Sequence, residues 1–330
     1  MQFRPFLVIC MKGGPAVMNY YVKKLISFVL TILSVAVLSF VMFQIIPGNA
    51  AISRLGTEAT PEAIEALKIQ YGYDRSLPER FISWLAGAVK GDFGPSMRYE
   101  TMSVKELIGG RLPVTLTLAG LSVLLIILIA IPIGLLSTRK PGGAADRIAD
   151  GTAVAFMAIP SFVQGILVTF VFGIVLHWFR PGGYVNPSES LRGFIGFMIF
   201  PAFSVALPKI AMTVRFMKTR VKAELEQNYV RTARAKGNTS IQVMWKHVFK
   251  NSLMPVITFI GLIVAEVMAG SIMIEQVFNL PGMGRLLVTS IANRDFNVVQ
   301  AIVMYIAVTV IFVNMLVDVL YKIVDPRNIA

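Results

Sequence analysis

Two sets of residues in this chain have side chains and spacings suited to chemistry. The first is the run Val230-Arg231-Thr232-Ala233-Arg234-Ala235-Lys236-Gly237. Cations at three positions alternate with small or apolar residues there. No nucleophile and base stand together, so the run suits docking against another surface rather than bond-making. The second set is polar and lies inside long apolar stretches: Gln44, Gln164, Lys209, Glu266, Glu275, Asn314 and Asp318. A charge at the centre of a membrane helix costs at least ~2.5–3.5 kcal/mol. Such groups must face a cavity or a partner, and Gln164, Glu266, Glu275 and Asn314 are the foremost candidates to line a polar route. Glu275 and Asp318 sit near the ends of their stretches, where reaching the interface or pairing structurally is the stronger reading.

Other chemistry is excluded by what the sequence holds. Its single cysteine, Cys10, cannot close an intramolecular disulfide, and His177 and His247 are the only histidines. Neither a redox pair nor a zinc centre is expected. The chain has no GxxxxGK[ST] phosphate loop, so it is not expected to hydrolyse ATP or to bind a cofactor. Lys and Arg number 31 against 18 Asp and Glu, for a net charge of +13. That excess suggests nucleic acid, but the cations cluster between apolar spans rather than along one soluble face. Membrane topology and anionic lipid account for them, and no nucleic-acid partner is expected.

The elements that must position these residues are membrane helices. Charged residues make up 15% of the chain, against roughly 25% in an ordinary soluble domain. Six stretches are long enough to cross a bilayer: Leu25 to Ile46, Pro113 to Leu136, Gly151 to Phe179, Phe194 to Val214, Pro255 to Phe278 and Val298 to Tyr321. They are apolar on all faces, which favours helices over the alternating strands of a barrel. Pro160, Pro201 and Pro208 are expected to kink spans three and four. Trp178 and Tyr321 read as interfacial anchors. The first span reads as a retained signal anchor, since Pro47-Gly48-Asn49 gives no small-x-small cleavage site. Met18 opens a more compact version of that anchor, which marks residues 1–17 as an upstream extension.

Short loops rich in Lys and Arg set the orientation. Arg139, Lys140 and Arg147 follow span two, and nine cations from Arg215 to Lys250 follow span four. Both termini and the long basic loop are therefore expected in the cytoplasm. The segment 47–111 falls on the opposite side and reads as folded. Thr60-Pro61-Glu62 starts one helix; Leu77-Pro78-Glu79 starts a second that presents Phe81, Trp84, Leu85 and Val89 on one side. In the basic loop, Val230, Ala233, Gly237, Ile241, Met244 and Val248 recur at helical spacing. Gly237 followed by Asn238-Thr239-Ser240 reads as a helix stop and a new N-cap. Two short helices joined by a sharp turn follow. A loop lying on anionic lipid is the alternative.

Tyr229 to Pro255 resembles the cytoplasmic loop of binding-protein-dependent ABC importer permeases, and more narrowly the dipeptide/oligopeptide/nickel B-type. Further segments match in order: Arg111-Leu112-Pro113-Val114-Thr115, Ile159-Pro160-Ser161-Phe162, Glu275-Gln276-Val277-Phe278-Asn279-Leu280-Pro281-Gly282-Met283-Gly284, Asn293-Arg294-Asp295-Phe296 and Asp325-Pro326-Arg327. The general signature has Glu-Ala-Ala where this chain has Arg231, Thr232 and Ala233, a variant usual in the peptide-type group. Glu266 has no counterpart in the pattern.

The resemblance implies an all-α polytopic membrane protein with six transmembrane helices, type I importer-like. Residues 1–24 and 323–330 are then cytoplasmic tails, 25–46 span one and 47–112 an extracytoplasmic segment. Residues 113–322 form the permease core, with the coupling loop at 215–254. Implied partners are a second, homologous permease, two cytoplasmic ATPases that bind ATP and Mg, and an extracytoplasmic solute-binding protein, all at the cell (inner) membrane. Val230 to Gly237 would contact the ATPase, with Val230, Ala233, Ala235 and Gly237 in its groove. The cargo would be a peptide or a related solute such as nickel. An ion-gradient secondary transporter is the second reading and a membrane scaffold the third.

Overall fold

The computed structural model describes residues 15–45, 75–99, 102–138 and 142–324. The expected helix at Thr60-Pro61-Glu62 and the Asp325-Pro326-Arg327 segment lie outside them. Regular structure among the described residues is helical, and the one β contact is an isolated bridge between Pro95 and Ser103. In chain order the helices are α1 Pro15–Ile45, α2 Leu77–Val89, α3 Val104–Gly109, α4 Leu112–Ser137, α5 Ala144–Ala158 and α6 Ser161–Val168, which runs into a π-helical turn Thr169–Val175. There follow α7 Leu191–Leu225, α8 Asn228–Ala235, α9 Ser240–Val243 with a π turn Met244–Val248, α10 Phe249–Val277, α11 Met283–Ala292 and α12 Phe296–Val324.

Five helical stretches are long and apolar enough to cross a membrane: Val22–Ile45, Val104–Ser137, Leu191–Leu225, Ser240–Val277 and Phe296–Val317. The third expected span departs from a simple crossing. It breaks at Ile159-Pro160 into α5 and α6, bent by 105°. Counted as one span, the pair brings the total to six. Proline has no N–H to continue a helix and drives the residue before it into extended backbone. Ile159 is extended accordingly, at φ −88° and ψ 125°.

The chain divides into two compact units. The first comprises residues 1–107, 290–311 and 326–330. Here α2 starts at a Ser76 N–H that donates to Glu79 Oε2 at 3.1 Å. Phe81 and Trp84 of α2 pack on Phe40 of α1, and Phe93 bridges Trp84 to Tyr305 of α12. The aromatic face expected on α2 thus finds its partner on the spans, except that Val89 is exposed.

The second unit comprises residues 108–289 and 312–325. Its core is the packed set α4, α7 and α10, with Leu118, Ile126, Met198, Val205, Ile263 and Ile274 buried. Small residues let these helices approach closely. A Cβ on Gly134 of α4 would meet Met217 Cβ of α7 at 2.7 Å. Ser122 of α4 donates to its own helix at Leu118 O (2.8 Å) and across to Ala202 O of α7 (3.1 Å). Against α10, α7 runs antiparallel in a fixed register: Phe216 stacks on Phe259 at 4.3 Å, and two helical turns earlier on α7, two turns later on α10, Lys209 meets Glu266.

Candidate functional site

The basic loop folds as its turn chemistry requires. Gly237 takes φ +81°, a conformation open to glycine at no steric cost. Asn238 closes the end of α8 by donating from Nδ2 to Ala233 O at 3.1 Å. Thr239 then caps α9: its Oγ1 accepts from Gln242 N (3.3 Å), while Gln242 Oε1 accepts from Thr239 N (3.0 Å). This reciprocal box marks a helix start. The second helix is not short, however. From Ser240 the chain is helical through Val277, with the π turn Met244–Val248 absorbing the change of register. No Gly or Pro falls between Ser240 and Pro255 to stop it.

Within the loop, burial sorts the candidate coupling residues into two groups. Val230 and Ala233 are buried against Met217, Val221, Val243, Val248 and Val256 of the chain's own core. These two anchor α8 and do not point outward, which differs from the groove contact expected of them. Arg231, Thr232, Arg234, Ala235, Lys236 and Gly237 form the exposed face. Tyr229 fastens the other end of α8 by donating from its hydroxyl to Glu224 of α7. Burial, with the Glu224 carboxylate beside it, pushes the Tyr229 phenol above its ordinary pKa. The module is therefore a short basic helix pinned by Tyr229, Val230 and Ala233 to the ends of α7 and α10.

The polar groups at membrane depth are held in different ways. Gln164 is buried, and its Nε2 donates to Phe156 O (2.6 Å) and Ile159 O (2.8 Å). It satisfies carbonyls that the Pro160 break leaves open. Glu275 is fully buried near the end of α10. Thr115 of α4 donates to its Oε1 (2.7 Å), the Arg285 backbone N–H donates to its Oε2 (3.0 Å), and the Met283 N–H donates to Thr115 Oγ1 (2.8 Å). A Cβ on Gly282 would lie 2.3 Å from the Glu275 carboxyl carbon, so only glycine lets the turn close over it. The Arg111–Thr115 and Glu275–Gly284 segments, separate in sequence, thus meet in one latch.

Lys209 of α7 and Glu266 of α10 form an ion pair, the Lys209 side chain 19% and the Glu266 side chain 53% exposed. Asn314 is half-buried on α12, Gln44 is half-buried on α1, and the Asp318 side chain lies outside the described residues. Among the described residues no hydrogen bond joins any two of Gln164, Glu266, Glu275 and Asn314.

Two clusters escaped the reading of the sequence. Lys218 of α7 is 4% exposed and pairs with Asp146 (2.6 Å) and Asp150 (2.5 Å) of α5, while the Gly142 N–H donates to Asp146 Oδ2 (2.9 Å). In the first unit, Asp295 is buried at the start of α12 and accepts from the Ser96 hydroxyl and from the Met97 (3.1 Å) and Arg98 (3.3 Å) N–H groups. The Asn293-Arg294-Asp295-Phe296 motif was the signal for Asp295. Nothing local marks Lys218, because its partners lie about seventy residues away.

Comparison with known proteins shows the family. Residues 130–329 match the family described as binding-protein-dependent transport system inner membrane component, and residues 17–119 match the N-terminal region of such membrane components. An oligopeptide transport system permease of Bacillus subtilis is 35% identical over 310 residues, covering 93% of this chain and 98% of that one. A putative peptide transport system permease of Brucella abortus is 34% identical over 305 residues, 92% and 97%. A probable peptide ABC transporter permease of Sinorhizobium fredii is 30% identical over 309 residues, 93% and 98%. With its apolar helices, its pinned basic loop and these matches over nearly its whole length, the chain belongs to the binding-protein-dependent transport system inner membrane component family, as a multi-pass permease subunit.

Proposed function

We propose that this permease forms half of the pathway of an ATP-driven importer for peptides and is driven through the face Arg231 to Gly237. The observation that carries this reading is the construction of α8: Val230 and Ala233 fix it to the ends of two long helices, while its basic face stays free for a partner. Displacement of that face becomes displacement of α7 and α10. To drive transport, the partner must bind the face more strongly in one state of the cycle than in another. Two cytoplasmic ATPases holding ATP and Mg supply that difference, a second, homologous permease completes the pathway, and an extracytoplasmic binding protein delivers the cargo. Peptide cargo is favoured because the relatives above bear peptide or oligopeptide names. No feature of this chain favours nickel or an ion gradient over it.

Both termini and α8 lie in the cytoplasm in this reading, supported by the density of Lys and Arg from Arg215 to Lys250. Residues 1–24 and 323–330 are then cytoplasmic tails, 25–46 the first span, 47–112 extracytoplasmic, and 113–322 the core with its coupling loop at 215–254. Gly237→Val tests the coupling assignment. A β-branched residue at φ +81° is a genuine outlier, strained by about 1–3 kcal/mol. In a reconstituted complex the variant should insert and assemble but lose ATP-driven uptake. Uptake at the wild-type rate would overturn the assignment.

A further inference from the structure

Among the described residues, the Lys209–Glu266 pair is the one ion pair that lies well inside two long apolar helices with its carboxylate turned outward. Lys209 makes a single recorded bond, to Glu266 Oε2, and Glu266 Oε1 accepts none among the described residues. Within this chain, two ammonium N–H groups and one carboxylate oxygen of the pair are turned to its surroundings. In hydrocarbon each would lack a partner, at a cost that membrane helices avoid. The space beside Glu266 is therefore polar or holds a polar occupant.

Its surroundings narrow the choice. On α10 the exposed residues recur as Leu262, Glu266, Ala269, Met273 and Gln276, at spacings of four, three, four and three, which is one helical stripe. Glu266 is the only charge in it. Two turns along both helices, about 10 Å from the pair, the stacked rings of Phe216 and Phe259 present a half-buried apolar wall, and the Arg220 guanidinium lies 5.0 Å over the Phe216 ring. Because Glu266 is far more exposed than Lys209, the group offered to an occupant is the carboxylate. The complement to one outward carboxylate in an apolar stripe is a single cationic group on a largely apolar body.

We propose that Glu266 is a substrate subsite of the pathway, its free oxygen taking the α-ammonium of a passing peptide while Lys209 orients the carboxylate. This rests on the peptide-import reading above. As the ammonium arrives, it supplies the hydrogen bonds that Glu266 Oε1 lacks. Lys209 keeps the site neutral when it is empty, so that the carboxylate does not hold the peptide too tightly to release it.

The test uses the complete complex in proteoliposomes: this chain, its partner permease, the ATPases and the binding protein. A defined mixture of di- to pentapeptides with uncharged side chains is supplied, and uptake is read by mass spectrometry. Glu266→Gln should lower peptide uptake about tenfold or more, the worth of a charge-assisted bond, while stimulated ATP hydrolysis and co-purification of the partner permease persist. The exchange Lys209→Glu with Glu266→Lys should stay as low as Glu266→Gln, because it rebuilds the ion pair but turns an ammonium outward. Recovery of uptake in the exchange variant would make the pair structural and overturn the proposal. So would loss of the partner permease from Glu266→Gln, which would assign the carboxylate to the subunit interface. Failure of the importer reading shows separately, as a wild-type complex that takes up none of the peptides with ATP; the subsite then falls with it.

Discussion

Two lysines nine residues apart on α7 have opposite fates. Nine residues advance the helix by about 13.5 Å and turn it by about half a revolution, so Lys209 and Lys218 point to opposite sides. Lys218 is held by Asp146, by Asp150 and by the Asp146 carbonyl at 3.2 Å, and Asp146 is itself held by the Gly142 N–H. Lys209 has Glu266 alone, and Glu266 is half in the open. The contrast separates a charge used to build from a charge left for use. A buried ion is tolerable when all its valences are met.

Breaking the built pair should give the largest effect. Lys218→Met removes the cation shared by Asp146 and Asp150 and leaves Asp146 only its longer contact with Lys222 (3.7 Å), and removing one partner of a buried pair is strongly destabilising. The start of α5 should detach from α7. The expected result is a large fall in melting temperature and in the yield of monodisperse protein extracted in detergent. A Lys218→Met variant that melts with wild type would show that the clamp holds nothing.

A second built carboxylate sharpens the same contrast. Glu275→Gln keeps one acceptor for Thr115 but sets an NH2 group against the Arg285 N–H. Leaving a buried donor unmet costs about 1–3 kcal/mol, so thermal unfolding of the purified protein should show a smaller but clear loss. Gly282→Ala, which places a methyl against the carboxyl group, should likewise lower the melting temperature, by less than Lys218→Met. If Glu275 instead served as an open pathway residue like Glu266, Glu275→Gln would alter uptake and leave melting untouched.

How far this contrast could be read from the sequence depended on the range of the interaction. The Gly237 stop and the Thr239 cap were legible because a left-handed glycine and a capping box are local. The apolar spans were legible for the same reason. Pro160 announced a break, but neither its 105° bend nor the reach of Gln164 back to Phe156 and Ile159 across it. That Val230 and Ala233 turn inward was hidden, since helical spacing defines a face but not what covers it. Their cover comes from Val243, Val248 and Val256, brought over by the turn at Gly237. The polar residues at membrane depth formed one class in the sequence. Their partners divide them into a bridge over a break, made by Gln164 with nearby carbonyls, and a latch and an open pair, made with helices distant in sequence.

The smallest expected effect on stability completes the comparison. Lys209→Met is the same chemical change as Lys218→Met, on the same helix, and it also leaves a carboxylate without its cation. If Glu266 borders a hydrated route, water replaces the ammonium and melting should stay within experimental scatter of wild type. If Glu266 faced lipid, an unpaired carboxylate at that depth would carry the intramembrane penalty, and the variant would lose stability as Lys218→Met does. Melting curves of the two variants, recorded side by side in the same detergent, therefore report on what lies beside Glu266 without any need for substrate. Equal losses would erase the distinction between the two lysines.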